Sequence, residues 1–248
     1  KRVVHPGAGG KRMIMDKAEQ TRIWAELMNA APNPADERSV YIHIPFCDKK
    51  CSYCGFFQNF TREEAAHHYV DVLLDELDAA ADTPYVQGAP FQAVFFGGGT
   101  PTILKAADLV AMLDAVRETW GIADNAEITT EANPDTVNAD YVRELADGGF
   151  NRISFGMQSA VPHVLKTLDR THTPENVEAG ISAANAAGMR SSVDLIYGAP
   201  GESLDDWRTS VNTALDLEVN HISAYALTVA PNTTMGRRIA AGMLPTPD

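Results

Sequence analysis

The stretch SVYIHIPFCDKKCSYCGFFQNF, residues 39–60, holds all three cysteines of a 248-residue chain. Its first part alternates β-branched and aromatic residues, and this pattern predicts a strand at residues 40–44. Cys47, Cys51 and Cys54 follow at once in a C-x3-C-x2-C loop. Parallel α/β proteins carry their chemistry in such loops, at the carboxyl ends of strands. The stretch therefore favours a parallel α/β fold with a site after its first strand.

The rest of the chain repeats a pattern of short strand and amphipathic helix. Runs rich in β-branched and aromatic residues predict five further strands, at residues 93–96, 127–130, 152–155, 192–197 and 221–227. Apolar residues between them recur at helical spacing. Strands that alternate with helices predict βαβ units, whose right-handed crossovers give a parallel sheet with helices outside it. Six units are fewer than the eight of a closed barrel, so we predict an open, partial (β/α) barrel of six parallel strands.

Three regions are predicted along the chain. Residues 1–38 form an N-terminal extension, with a helix at residues 21–30 and a Pro-rich linker, and residues 39–232 form the barrel. Residues 233–248 are the start of a truncated C-terminal region. Because the chain begins with a lysine rather than a methionine and stops within GMLPTPD, we expect both ends to have been trimmed.

The composition narrows the class of partner. The chain has 20 Lys and Arg against 33 Asp and Glu, which gives a formal net charge of −13. This charge argues against nucleic-acid binding and against adhesion to anionic membranes, because both need clustered cations. No run approaches the length of a membrane span, and the N-terminal residues lack the apolar core of a signal peptide. We expect a cytoplasmic protein with a small-molecule or protein partner.

Three interpretations of the cysteine loop are open at this point. A disulfide would leave one thiol unpaired and suits a secreted protein. A structural zinc ion would need a fourth ligand, such as His67 or His68. An iron–sulfur cluster normally takes four thiolates, so three would leave one iron open to a ligand from outside the protein.

Glycine and polar residues also stand at the ends of later strands. Three glycines follow the second strand, where a backbone without Cβ atoms can approach a ligand closely. Glu131 follows the third strand and is placed to bind a ribose diol, and Gln158 ends the fourth. Asp194 lies within the apolar fifth strand, where a carboxylate is costly unless it is paired or bound. Each residue alone also fits a surface or capping role, but their common location at one end of a barrel favours a shared site.

These residues resemble the radical S-adenosylmethionine (SAM) superfamily, in which C-x3-C-x2-C follows the first strand, GGGTP the second and an acidic residue the third. The motifs YIHIPFC, FFGGGTPT, ITTEANP, ISFGMQS, LDRTH and DLIYGAPGES resemble one branch more narrowly. That branch contains oxygen-independent coproporphyrinogen III oxidase, the haem chaperone HemW and the haem-utilisation enzymes of the HutW/ChuW type. The resemblance runs from residue 39 onward and implies a partial barrel of the radical SAM type.

The resemblance also implies cofactors and the residues that hold them. Cys47, Cys51 and Cys54 would bind a [4Fe-4S] cluster, and the amino and carboxylate groups of SAM would bind its fourth iron. Reduction of the cluster would cleave SAM to methionine and a 5′-deoxyadenosyl radical. The SAM contacts carried over from the family motifs are Tyr41, Gly98, Gly99, Thr100, Glu131, Gln158, Arg170, Asp194 and Thr228. The guanidinium group at position 170 would meet a carboxylate through two parallel hydrogen bonds.

One departure from the family pattern bears on function. Coproporphyrinogen oxidases proper carry a further cysteine two residues after the third, where this chain has Phe56, so decarboxylation of coproporphyrinogen is disfavoured. The segment CSYCGFFQNF and the long extension resemble the haem-utilisation enzymes, which open the macrocycle in a SAM-dependent methyl transfer. The segments ITTEANPDTV, FGMQSAVPHVLKTLDRTH and DLIYGAPGESLDDW resemble HemW, in which cluster and SAM accompany haem binding and transfer.

We therefore expect a radical SAM enzyme that cleaves SAM reductively and acts on haem. The alternatives are a HemW-like chaperone that transfers haem to an acceptor protein and, third, a barrel stabilised by structural zinc. The implied partners are haem or a related tetrapyrrole, a low-potential electron donor and, for a chaperone, a haem acceptor. His43, Phe56 and Phe57 are candidates for contact with the flat macrocycle. A structural role for the histidine and shielding of the cluster by Phe56 are the simpler explanations.

Overall fold

The structure, a computed structural model, describes residues 16–33, 35–60 and 63–247. The strands in these ranges are β1 (Ser39–Ile44), β2 (Phe46–Cys47), β3 (Asn59–Phe60), β4 (Phe91–Gly98), β5 (Ile122–Ala132), β6 (Arg152–Gln158), β7 (Arg190–Tyr197) and β8 (His221–Ala226). The α helices in the same ranges are α1 (Lys17–Met28), α2 (Glu63–Ala81), α3 (Pro84–Gln87), α4 (Ala106–Thr119), α5 (Ala139–Asp147), α6 (Pro162–Thr167), α7 (Pro174–Ala186), α8 (Leu204–Asp216) and α9 (Thr234–Ala240). A turn of 3-10 helix, Pro101–Ile103, precedes α4.

Six of the strands form one parallel sheet in the order β1-β4-β5-β6-β7-β8, while β2 and β3 form a separate pair. Within the six-stranded sheet, strands adjacent in space are consecutive in the chain, and at least one helix stands in every crossover. Across the described part of the chain, β1 and β8 do not pair with each other, so the barrel is open. The predicted α/β fold, a partial barrel of six parallel strands with outer helices, is confirmed.

The outer face of the sheet forms the hydrophobic core. Side chains alternate between the two faces of a strand, and the outward positions hold buried apolar residues such as Ile42, Val94, Ile128, Phe155 and Val193. The apolar faces of the neighbouring helices α2, α4, α5 and α7 contribute to the same core. Burial of this face drives folding, since apolar area removed from water is the main favourable term.

The inner face of the sheet is polar instead. Glu131 of β5 lies opposite Ser154 of β6, Ser154 lies opposite Ser192 of β7, and Asp194 of β7 lies opposite Ser223 of β8. A closed barrel fills its interior with branched apolar side chains. This open one presents hydrogen-bonding groups, which suits a ligand that enters from the carboxyl ends of the strands.

The ends of the chain refine the predicted regions. Helix α1 begins before the predicted helix because the Asp16 side chain accepts a hydrogen bond from the Glu19 N–H at 2.8 Å and so caps it. Residues 1–15 of the predicted extension lie outside the described residues. In the predicted C-terminal region, Met235 of α9 is fully buried.

Throughout the described ranges, every helix is too short or too polar to cross a membrane.

Candidate cofactor site

Hydrogen bonds hold the cysteine loop, which joins β2 to β3, at its base and on its outer side. The Asn59 N–H donates to the Pro45 carbonyl at 2.6 Å, beside the parallel pairing of β2 and β3. On the outer side, the Met235 N–H of α9 donates to the Ser52 carbonyl at 2.8 Å. The loop is therefore anchored both to the first strand and to a helix near the far end of the chain.

The three thiols of the loop are free. Cys47 is buried, and its Sγ lies 3.5 Å from Thr100 Oγ1. Burial raises the pKa of the Cys47 thiol against the opposing effect of the Thr100 hydroxyl, and it raises the pKa of Cys54 against a main-chain hydrogen bond from Phe56. Metal ligation needs the thiolate form, so a metal bound by these thiols would displace their protons.

Arg170, which follows α6, connects the Cys51 thiol to the strand ends. One nitrogen of its guanidinium group, Nη1, lies 3.4 Å from Cys51 Sγ, and the other, Nη2, donates to Asn133 Oδ1 at 2.7 Å and to the Gly156 carbonyl at 2.9 Å. Asn133 in turn donates from Nδ2 to Thr100 Oγ1 at 3.4 Å. The Thr100 hydroxyl is thus free to direct its own proton at a thiolate on Cys47, and Arg170 supplies a positive charge to Cys51.

The glycines that follow β4 pack against the strand that leads into the cysteine loop. The Gly99 N–H donates to the Ile44 carbonyl at 2.8 Å, and a Cβ on Gly99 would lie 2.4 Å from the Phe46 carbonyl oxygen. Gly98 has a φ of +115°, which glycine adopts without steric penalty, and its Cβ would lie 2.5 Å from the His43 ring. A side chain at either position would clash with the protein itself, so glycine is needed here whether or not a ligand is bound.

Gln158 has an unusual backbone at the end of β6. Its φ of 61° lies in the left-handed region, beside a register irregularity between Phe155 and Gln158. A non-glycine residue held there costs on the order of 1–3 kcal/mol, and such strain clusters at functional sites. The Gln158 side chain lies close to Gly156, whose Cβ would be 2.8 Å from Gln158 Nε2.

Two carboxyl groups, Glu131 and Asp194, lie near each other on the inner face. Burial raises the pKa of Glu131 to about 7; a hydrogen bond from the Gly98 N–H, at 3.2 Å, opposes this, and the charge of Asp194 adds to it. Burial also raises the pKa of Asp194, against hydrogen bonds from Ser223 and Ser154. Both groups are costly to ionise in isolation, so a cation or a hydroxyl-rich ligand would stabilise them.

Asp194 ends a hydrogen-bond chain across the inner face. The Ser154 hydroxyl donates to Asp194 Oδ2 at 3.2 Å, and the Ser192 hydroxyl donates to Ser154 Oγ at 2.8 Å. Arg152 Nη2 donates to Ser192 Oγ at 3.0 Å and its Nη1 lies 3.3 Å from Glu127 Oε1. A chain of donors that all point one way fixes the orientation of the final acceptor, Asp194.

A cavity of about 430 Å³ lies between the cysteine loop and the strand ends. Eleven of the twelve residues predicted to hold cluster or SAM line it: Cys47, Cys51, Cys54, Gly98, Gly99, Thr100, Glu131, Gln158, Arg170, Asp194 and Thr228. The exception, Tyr41, lies on the inner face of β1, where its ring stacks on Phe95 and its hydroxyl is 3.3 Å from His43 Nδ1. The predicted roles of all twelve residues stay predictions.

The donor set of this cavity fits an iron–sulfur cluster and a polar small molecule. Within residues 16–33, 35–60 and 63–247, no three His, Cys, Asp or Glu side chains converge as ligands of a single metal ion. The three thiols instead border a space, as a multi-iron cluster requires. Neither His67 nor His68, the fourth ligand that the zinc interpretation needs, lines the cavity.

Several cavity residues were not predicted from the sequence. Asn133 bridges Thr100 and Arg170, and its position two residues after Glu131, in the same motif, was the available signal. Ser154 is a polar residue in an apolar strand, the same signal that singled out Asp194. Tyr53 also lines the cavity, but its neighbouring sequence gives no indication of this.

Residues 41–214 match the Radical SAM superfamily. The chain belongs to the radical SAM superfamily. This confirms the family predicted from the motifs.

Curated relatives share part of this radical SAM chain. The haem chaperone HemW of Mycobacterium tuberculosis is 40% identical over 231 residues, which cover 90% of this chain and 58% of the relative. HemW of Escherichia coli K12 is 42% identical over 202 residues, 81% of this chain and 53% of the relative. The anaerobilin synthase of Escherichia coli O157:H7 is 34% identical over 248 residues, 100% of this chain and 55% of the relative. The chain thus spans somewhat more than half the length of these relatives.

Solved structures show the same fold. Coproporphyrinogen III oxidase, HemN, from Escherichia coli is a radical SAM enzyme that superposes with a TM-score of 0.81 at 30% identity, over 90% of this chain and 52% of its own. The radical SAM methyltransferase TsrM from Kitasatospora setae superposes with a TM-score of 0.62 at 20% identity, over 83% of this chain and 37% of its own. The second likeness concerns the fold alone.

Proposed function

We propose that this chain is the cofactor-binding part of a radical SAM enzyme of haem or porphyrin metabolism. The observation that carries the proposal is a cavity that is bordered by three thiols on one side and by polar strand ends on the other. Three thiol ligands, rather than four, suit a cluster that keeps one iron for an external ligand.

In this proposal Cys47, Cys51 and Cys54 hold a [4Fe-4S] cluster. SAM lies against the strand ends, on Gly98, Gly99, Thr100, Glu131, Gln158, Arg170, Asp194 and Thr228, with Tyr41 contributing from β1. When bound, the reduced cluster supplies one electron that cleaves SAM to methionine and a 5′-deoxyadenosyl radical.

The chain's own residues prepare this chemistry through charge and hydrogen bonds. Thr100 and Arg170 direct donors at two of the thiolates, which favours their ionised form. Glu131 and Asp194 accept hydrogen bonds from ligand hydroxyl groups and offset the positive charge of a sulfonium. Tyr53 and Phe56, both in the cavity wall, limit the access of water to the loop.

We infer that the substrate is haem or a related tetrapyrrole. Support comes from the relatives, of which one is named anaerobilin synthase and aligns over the whole of this chain. A second candidate is a haem chaperone that hands haem to an acceptor protein, and the higher identity of 40–42% to HemW favours it. In either case the cluster would need a low-potential electron donor as a partner.

Metal analysis tests the cluster. About four iron and four sulfide per chain are expected after anaerobic reconstitution, and zinc without iron would contradict the proposal. Cys51→Ser should abolish the brown absorbance of the cluster. A variant that retained a normal cluster would show that this thiol is not a ligand.

Anaerobic incubation of the reduced protein with SAM and haem separates the two candidates. Haem absorbance and both SAM products are followed together by spectroscopy and mass spectrometry. Loss of haem together with turnover of SAM supports the enzyme. Haem that binds and persists unchanged supports the chaperone.

A further inference from the structure

Lysines are concentrated around the cysteine loop. Lys17, Lys49, Lys50, Lys105 and Lys166 are the lysines of the described residues. Lys49 lines the thiol cavity, and Lys49 and Lys166 together line a neighbouring cavity of about 410 Å³. Lys50 is on the cysteine loop itself, directly before Cys51. We call Lys49, Lys50 and Lys166 the lysine patch.

Ion pairs among the described residues leave the lysine patch without a partner. Its three side chains are solvent-exposed. In the part of the chain that the structure describes, arginine or histidine provides the cation of each ion pair, and none involves a lysine. One nearby carboxylate, Asp169, is already paired with Arg238 at 3.2 Å. The patch therefore keeps its positive charge.

This local charge contrasts with the rest of the protein. The chain has a net charge of −13, so an acidic macromolecule is repelled by most of its surface. A positive patch on a negative surface orients an approaching acidic partner and raises its association rate. The patch offers three exposed cations; the exposed carboxylates near it are Asp48, Asp135 and Glu175, and Arg170 is already engaged with Cys51.

Exposed aromatic side chains lie on the same loop. Phe57 is 71% exposed and Phe60 is 67% exposed. Phe60 lies opposite Cys47 in the β2–β3 pairing, so this apolar surface is next to a proposed cluster ligand. Apolar groups beside charged ones are what a small, short-lived protein interface uses.

We propose that the lysine patch, with Phe57 and Phe60, is the docking surface for an acidic one-electron donor protein. The proposal rests on the proposed function, because it assumes a cluster on the three cysteines. A reduced flavin or iron–sulfur centre of the donor gives up one electron, and the cluster gains that electron, with no atom transferred. The location brings the donor to the loop that holds the cluster, which shortens the path of the electron.

Binding of oxidised flavodoxin, as a strongly acidic probe, tests the surface. The double variant Lys50→Glu/Lys166→Glu should weaken this binding by about tenfold or more, and the dependence of binding on salt should become smaller. The control is Lys17→Glu on α1, which packs on α3, away from the cysteine loop. It should bind like the unaltered chain.

The measurement is made on both cluster-free and cluster-loaded protein, so that failure of the cluster and failure of the surface are distinguishable. In the loaded protein, the ratio of the reduction rate by flavodoxin to that by dithionite should fall by about tenfold in the double variant. Should the double variant fold poorly by circular dichroism, Lys50→Gln/Lys166→Gln replaces it. Unchanged binding in a folded variant, or no binding by the unaltered chain at low salt, overturns the docking surface even if the cluster assembles normally.

Discussion

Glu131 lowers the stability of the folded protein at neutral pH, because burial disfavours its ionised form. Its carboxyl group is buried against the Gly98 N–H and near Asp194, and burial raises its pKa to about 7. The folded protein therefore keeps this proton at a pH where the unfolded chain, with an ordinary pKa of 4.5, has lost it. Stability from this group is complete below pH 4.5 and is lost as the pH rises through 7.

Replacing Glu131 tests this effect on stability directly. In the absence of SAM, Glu131→Gln should be more stable than the unaltered chain at pH 8 by up to about 3 kcal/mol, and the two should converge near pH 4.5. Urea unfolding at several pH values measures the difference. Glu118→Gln, an exposed change on α4, is the control. A parallel pH dependence of Glu131→Gln and the unaltered chain would contradict the assigned burial.

Arg170 gives a second prediction, because it joins Cys51 to the strand ends. Arg170→Lys keeps a positive charge but loses the planar group that contacts Cys51, Asn133 and Gly156 together. The variant should lose its cluster faster in the presence of a chelator. The cluster absorbance over time measures this. Arg208→Lys, on the exposed face of α8, should lose the cluster at the rate of the unaltered chain.

Single residues differ in how far the sequence predicts them. Glu131 and Asp194 were found because a carboxylate in or directly after an apolar strand is conspicuous. The contact between Arg170 and Cys51 joins residues 119 positions apart, so no local pattern reports it, although the family resemblance pointed to Arg170. Tyr41, predicted as a SAM contact, is not part of the cavity lining, and its ring stacks on Phe95.

The packing of β4 against the cysteine loop gives a third prediction. Gly99→Ala would place a methyl group 2.4 Å from a main-chain oxygen of β2, which cannot move without shifting the loop. Unfolding by urea should show a loss of about 1–3 kcal/mol. The control is Gly55→Ala, also in the cavity wall, where the nearest atom to the new Cβ is 4.0 Å away. Equal losses in both variants would contradict a specific contact.

The hydrogen-bond chain from Ser192 through Ser154 to Asp194 gives a fourth prediction. Ser154→Ala removes the hydrogen bond to Asp194 and should weaken SAM binding by about tenfold, if Asp194 is a SAM contact. Ser192→Ala should have a smaller effect because it acts through Ser154. Calorimetric titration of SAM measures both. Thr213→Ala, which removes an exposed hydrogen bond to the Thr209 carbonyl within α8, should leave SAM affinity unchanged.

The strands and helices were predicted more completely than their contacts. Alternation and helical spacing located all six sheet strands, and the parallel order follows from the crossovers. The ends of elements were less accurate: β5 extends five residues before its predicted start, since only its later part is continuously buried. The hydrogen bond between Ser154 and Ser192 depends on how β6 and β7 are aligned, and the spacing of residues along one strand cannot reveal that alignment.

The contact between α9 and the cysteine loop gives a fifth prediction. Met235 is fully buried, and its N–H bonds the loop at Ser52. Met235→Ala should cost about 2–5 kcal/mol of stability and should loosen the loop. Hydrogen exchange of residues 48–58 should then be faster than in the unaltered chain. Met243→Ala, an exposed change in the same region, is the control. Unchanged hydrogen exchange in residues 48–58 would show that α9 does not hold the cysteine loop in place.

The position of the cysteine loop in the chain has a consequence for synthesis. The three thiols leave the ribosome with the first strand, but Arg170 and Met235, which contact their loop, are made roughly 120 and 180 residues later. At about 5–20 residues per second, the loop waits on the order of ten seconds or more for Met235. During that time the thiols are open to oxidants and to stray metals. The redox state of the cell during translation therefore bears on whether the three thiols reach the folded loop in reduced form.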